Sequence, residues 1–169
     1  MRNLSEARST SIWRIIVCVA GGLLSLVQVA SAQPLTNSDT EQVRRGEYLA
    51  RAGNCMGCHT TRGGESYAGG RKLNTPFGQF VTPNITPDNE TGIGSWSGED
   101  FWQALHYGKS KDGRNLYPAF PYTEYTKVTR PDADAIFAYL RSLPPVTQTN
   151  PPHKINPPYD NQALLYLWR

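Results

Sequence analysis

Two thiols and an imidazole stand within five consecutive residues, Cys55-Met56-Gly57-Cys58-His59. C-x-x-C-H is the attachment sequence for c-type haem. Each S–H adds across one of two vinyl groups on one porphyrin edge, and one helical turn between the sulfurs lets both reach that edge. The histidine follows at once, so its imidazole comes up under the iron and ligates it. Met56 and Gly57 act as spacers, and Met56 is too close to Cys55 to cross to the opposite haem face. A thioredoxin-like redox pair would instead follow a strand, whereas the segment before Cys55 has helical spacing. A zinc centre would need further ligands, usually a second Cys pair, and the sequence holds only one more cysteine, Cys18. A plain disulfide across the motif is the third alternative.

The elements around the motif suit a small helical wrapper. Val43, Gly46 and Ala50 fall on one helical face with Leu49 beside them, after Ser38 and Asp39, either of which can cap. Gly53-Asn54 ends that helix and leads into the motif. A second helix starts at Ser97 with Asp100 three residues on, carries Phe101, Ala104 and Leu105, and closes at Gly108. A third starts at Thr129 with Asp132 three residues on and Pro131 in the first turn. It runs through Ile136, Phe137, Tyr139, Leu140 and Leu143 until Pro144-Pro145 stops it. Residues 60–96 are rich in glycine and proline without sustained periodicity, which predicts loop. Gly46 suits a close helix crossing, although a merely tolerated glycine reads the same.

The N-terminus reads as a leader. Arg2, Arg8 and Arg14 precede an apolar run over residues 15–30, and Ala30-Ser31-Ala32 follows. This pattern predicts a secretory signal over 1–32 with cleavage after Ala32. The alternative is an uncleaved anchor, but the run is interrupted by Ser25 and Gln28 and is short for the roughly 20 residues that a span needs. Cys18 lies within the run and is lost with the leader. The remaining expected organisation is a short segment 33–39, a domain over 40–145 and a Pro-rich tail over 146–169. From residue 33 onward 14 basic side chains face 13 acidic ones, so no clustered basic face for nucleic acid is expected.

Three further stretches carry a specific resemblance. One is Thr75-Pro76-Phe77-Gly78-Gln79-Phe80-Val81-Thr82-Pro83-Asn84-Ile85-Thr86-Pro87-Asp88. The second is Thr91-Gly92-Ile93-Gly94-Ser95-Trp96, and the third is Leu116-Tyr117-Pro118-Ala119-Phe120-Pro121-Tyr122. With residues 53–60, they resemble the cytochrome c subunits of membrane-associated bacterial alcohol, gluconate and aldehyde dehydrogenases. They are also similar to the related subunits of molybdenum hydroxylases. The resemblance covers about residues 40–168. It implies an all-α class I cytochrome c fold, with about three main helices and long Gly/Pro-rich loops around one covalent haem c and its iron.

It further implies a periplasmic one-electron carrier, not an enzyme. Electrons would come from a periplasmic dehydrogenase and go to a respiratory-chain acceptor, with membrane association through a partner or an uncleaved leader. Cys55, Cys58 and His59 hold the haem in this reading. The chain departs from the family in two ways. Relatives often have three haem domains in a row, and many have an iron-ligating methionine where this chain has Phe120.

Candidates for the sixth iron position are His106, His153 in the Pro-rich tail, Lys109 and Lys111 after loss of a proton, or no side chain at all. The last case makes an open-site haem protein that binds NO, CO or peroxide the alternative function. A mainly structural haem subunit of a larger complex is a third reading. Trp96, Tyr117, Tyr122 and Arg71 are candidate partners of the haem propionates. Asn84 and Asn89 match the glycosylation pattern and are discounted, because the haem-attachment context is bacterial.

Overall fold

The structure is a computed structural model that describes residues 37–168. The expected leader, its cleavage point and Cys18 lie outside the described residues. Helix α1 spans Asn37–Ala52 and ends where Gly53 N–H donates to Leu49 O at 2.8 Å. Asp39 therefore lies inside the first turn rather than before it. Asn54 follows in the left-handed conformation, at φ 54°, and turns the chain into the one-turn helix α2, Cys55–Cys58.

Next come strands β1, Lys72–Thr75, and β2, Gly78–Val81, and then helix α3, Gly98–Tyr107. The capping box expected from the sequence is present on α3. Ser97 Oγ accepts from Asp100 N–H at 3.1 Å, and the Asp100 carboxylate accepts from Ser97 N–H at 2.8 Å. Helix α4 spans Tyr122–Tyr125 and α5 spans Arg130–Ser142, with Thr129 as its cap and Pro131 in its first turn. Strand β3, Lys154–Ile155, and helix α6, Gln162–Trp168, complete the chain.

The fold hangs on the crossing of α1 and α5, which form the most extensive helix pair. A Cβ on Gly46 would lie 1.8 Å from the Ala135 carbonyl oxygen, so only glycine lets the two backbones approach this closely. Ala50, Ile136 and Leu140 are buried at this crossing together with Tyr67 and Ile93. Helix α3 packs on α5 through stacked Phe101 and Phe137 rings, 5.2 Å apart. Among the described residues no helix is long and apolar enough to cross a membrane.

Two expectations need correction. The fold is not all-α, because β1, β2 and β3 form a three-stranded antiparallel sheet in that order. The segment expected to be loop contains β1 and β2. Their four-residue length and the intervening Pro76 leave too little alternation to register as strands. The start of the Pro-rich tail is bonded to the 68–88 stretch. Val146 O accepts from Asn84 Nδ2 at 2.7 Å, Thr147 Oγ1 donates to Asp88 at 2.8 Å, and Gln148 and Asn150 amides donate to Ala68 O. Asn84 is only 3% exposed, so its amide serves these contacts rather than presenting an acceptor for a glycan.

Candidate functional site

The geometry around the C-x-x-C-H residues begins with a turn. Asn54 closes α1 in the left-handed conformation, and α2 then places Cys55 and Cys58 three residues apart on one helical turn. His59 caps that turn, with its N–H donating to Cys55 O at 2.9 Å. Its ring leaves in a fixed direction because His59 Nδ1–H donates to Pro83 O at 2.8 Å. This bond assigns the proton to Nδ1 and leaves Nε2 with a free lone pair, which is what a metal-ligating histidine requires. Burial lowers the His59 pKa, partly offset by the Pro83 carbonyl. The net effect favours the neutral ring that binds metal.

Pro83 is held in place by a network that sequence reading missed. Gly69 N–H donates to His59 O at 2.8 Å, and Gly70 N–H donates to Thr82 O at 2.9 Å. Gly69 has φ +78°, and a Cβ there would sit 2.5 Å from the Pro83 carbonyl oxygen. This position therefore requires glycine for both its conformation and its close approach. The signal available beforehand was the Gly69-Gly70 pair itself, but a backbone acceptor 24 residues after the histidine has no side-chain signature.

The two cysteines are not bonded to each other. Burial pushes the Cys55 thiol up to about 11, whereas catalytic redox pairs depend on a lowered value. Among the described residues no three His, Cys, Asp or Glu side chains cluster as metal ligands, so a zinc centre has no donor set here. The residues do fit a c-type haem: two adjacent thiols for one porphyrin edge and one oriented imidazole for the iron.

The other candidates lie on other elements. Phe120 stacks on Tyr125 with ring centres 5.3 Å apart. Tyr125 in turn donates to Gly53 O at 2.9 Å, on the approach to the motif. Burial raises the Tyr125 pKa, and the charges of Cys55 and Cys58 add to the rise. His106 lies on α3, stacked on Trp102 at 4.2 Å, and its Nδ1 is buried without a hydrogen-bond partner.

His153 is bonded rather than loose: its Nδ1 accepts from Val81 N–H at 3.0 Å. Lys111 Nζ donates to Ser95 O at 2.5 Å, which commits it elsewhere than to iron. The Lys109 backbone forms a bridge to Asn115. Of the suggested propionate partners, Arg71 donates to Gly57 O inside the motif, Tyr117 donates to Asp160 O at 3.5 Å, and Tyr122 is buried. Trp96 lines a cavity of about 390 Å³ with Ser110, Lys111, Asp112 and Arg114.

A fold built on the α1–α5 crossing, with C-x-x-C-H between α1 and the sheet, defines a class I cytochrome c. The cytochrome c family model matches residues 43–144. The chain belongs to the cytochrome c family, whose members carry electrons on covalently attached haem c.

Its relatives are larger proteins. It is 46% identical over 126 residues to a nicotinate dehydrogenase subunit of Pseudomonas putida, a match over 75% of this chain and 11% of that protein. It is 41% identical over 155 residues to the gluconate 2-dehydrogenase cytochrome c subunit of Pantoea cypripedii, covering 91% and 34% respectively. It is also 36% identical over 160 residues to a diheme cytochrome c-type protein of Cereibacter sphaeroides, covering 92% and 54%. The chain thus spans between about a tenth and about half of the length of these relatives.

Proposed function

We propose that this chain is a periplasmic monohaem c-type cytochrome. In this reading it takes single electrons from a dehydrogenase and passes them to a respiratory-chain acceptor. The observation that carries it is the 2.8 Å bond from His59 Nδ1 to Pro83 O, with the Cys55 and Cys58 thiols one turn before it. Cys55 and Cys58 would hold the haem through thioethers, and His59 Nε2 would be one axial ligand. The bound group supplies reversible one-electron chemistry at iron. The chain supplies a fixed imidazole, a partly buried setting and its attachment. The dehydrogenase partner rests on the kind of relatives the chain matches. The periplasmic location rests on the leader pattern in residues 1–32.

A denaturing gel of exported protein stained for haem is expected to show a band near the mature mass. Mass spectrometry should find Gln33 at the N-terminus and one haem added. Loss of haem into acid acetone would refute thioether attachment, and a membrane-embedded full chain would favour the anchor instead.

A second reading, an open or weakly ligated iron, is favoured by one observation. Phe120 presents an apolar ring packed on Tyr125 where many members of the family it resembles have methionine, and phenyl has no lone pair for iron. Either His106 ligates or no side chain does. In the first case His106→Ala turns a low-spin ferric spectrum high-spin; in the second, ferrous protein binds CO without displacing a ligand. Phe120→Met is expected to create the weak far-red absorption of a Met–iron bond and to raise the potential. An unchanged spectrum would mean that position 120 does not face the iron.

A further inference from the structure

One imidazole of the C-terminal segment joins the two stretches of chain that flank the candidate haem site. His153 Nδ1 accepts from Val81 N–H at 3.0 Å. The neutral ring therefore carries its proton on Nε2. A protonated ring donates at both nitrogens and cannot make this bond. Val81 lies two residues before Pro83, whose carbonyl orients His59. The intervening Thr82 gives little slack: its N–H donates to Arg71 O at 3.0 Å and its hydroxyl accepts from Arg71 N–H at 3.1 Å.

The other face of the same ring meets the opposite stretch. His153 packs edge-on against Tyr117 with centres 5.4 Å apart, and against Phe80 at 5.6 Å, while Phe80 and Tyr117 lie 5.2 Å apart. Tyr117 O then accepts from Phe120 N–H at 2.9 Å, closing the turn that presents Phe120. Tyr117 is held on its far side as well, by its hydroxyl on Asp160 O. The adjoining Asn115 exchanges two bonds with the Gln162 side-chain amide, at 3.0 and 3.3 Å. Phe80 on the strand leading to Pro83 meets Tyr117 directly, and His153 completes this three-ring contact while also bonding the strand's backbone.

We propose that His153 is a positioning residue for the haem iron, its neutral ring fixing the Pro83 strand, and with it the His59 imidazole, against the turn that presents Phe120. This inference rests on haem ligation by His59 as proposed above.

Charged groups stand on each of the surrounding elements, and of them Arg114 favours the neutral ring. Arg114 precedes the Tyr117 stretch and is paired with Asp112, Lys72 on β1 is registered opposite Val81, Lys154 follows His153 in β3, and Asp160 lies beyond Tyr117. Partial burial and then the Arg114 charge hold the His153 pKa below its ordinary value. As pH falls far enough to charge the ring, Val81 N–H is released. The acid form of the wild type then has the axial geometry of a protein without this imidazole.

The test compares matured full-length holoprotein of wild type, His153→Ala and His153→Gln. The glutamine amide oxygen can accept from Val81 N–H but does not titrate. Haem content, midpoint potential from about pH 5 to 8 and the haem-methyl resonances of the ferric form are measured for each. Wild type is expected to show a step in potential and in methyl shifts on acidification. His153→Ala is expected to lack the step and to hold the acid-form values throughout. His153→Gln is expected to lack the step and to hold the neutral-form values.

A step retained in either variant would overturn the inference, as would wild-type neutral values in His153→Ala. If His153→Ala does not fold, retention or loss of the step in His153→Gln decides alone. A wild type without covalent haem overturns the His59 reading itself, and haem content reveals this before any variant is compared.

Discussion

Gly46→Ala is expected to destabilise the folded, haem-loaded protein severely and to lower its melting temperature. The added Cβ would lie 1.8 Å from Ala135 O, 2.5 Å from Ala135 C and 2.9 Å from Tyr139 Cβ. Two of these contacts are with backbone, so no rotamer change relieves them, and α1 must move away from α5. Alanine gains up to about 1 kcal/mol of helix propensity over glycine. Overpacking a core costs about 1–3 kcal/mol even where side chains can adjust. Separating the helices also loosens Ala50, Ile136 and Leu140, which are buried at or near the crossing. The steric cost and the loosened core together outweigh the propensity gain, and the net loss comes from a total of about 5–15 kcal/mol for an ordinary domain. Gly98→Ala is the matched control, because its Cβ would meet nothing closer than 3.6 Å. Thermal melts of both variants beside wild type check the claim, and equal melting temperatures for Gly46→Ala and wild type would refute it.

The same crossing marks the boundary of what the residues disclose before any coordinates. Helices α3 and α5 could be read because their starts are written in side chains. Ser97 with Asp100 and Thr129 with Asp132 make caps whose partners lie three residues away. The motif at 55–59 was equally plain, since local spacing alone defines it. The bonds that give the site its shape are different in kind. Pro83 presents a backbone oxygen to His59, and any residue at that position has a carbonyl to offer.

Gln148 and Asn150 reach back some 80 residues to a single carbonyl, Ala68 O. Side-chain amides in a Pro-rich stretch look the same whether solvated or docked. The sheet escaped for a related reason. Gly78 must be glycine because a Cβ there would meet Lys154 O at 2.4 Å, yet the strand that comes so close is distant in sequence. Local chemistry was therefore legible, while long-range backbone contacts were not.

His59→Ala is expected to leave the thioethers intact while removing the native haem environment and most of the folded protein. Cys55 and Cys58 are untouched by the substitution, so covalent haem should persist on a denaturing gel. What disappears is the group that joins α2 to Pro83 and presents Nε2. Removing only the partner of a metal-ligating histidine costs about 10–100-fold in metal affinity or activity. Losing the imidazole itself should exceed that range, read as the fraction of protein that keeps the wild-type haem spectrum.

The chain has little with which to compensate. Among the described residues, five of the buried apolar side chains, Ala50, Ala68, Ala104, Ala133 and Ala135, are alanines, and Leu140 and Leu165 are the large apolar ones with under 2% exposure. So thin a core depends on a bound group for its stability. Gly69→Ala separates ligation from orientation, because its Cβ would press on the Pro83 and Thr82 carbonyls while the imidazole itself is kept. That variant should keep the iron–histidine bond but shift the potential and the haem-methyl resonances. A His59→Ala protein that melts cooperatively with an unaltered spectrum would show that another residue ligates the iron. An unaltered Gly69→Ala would show that the Pro83 bond does not govern the ring.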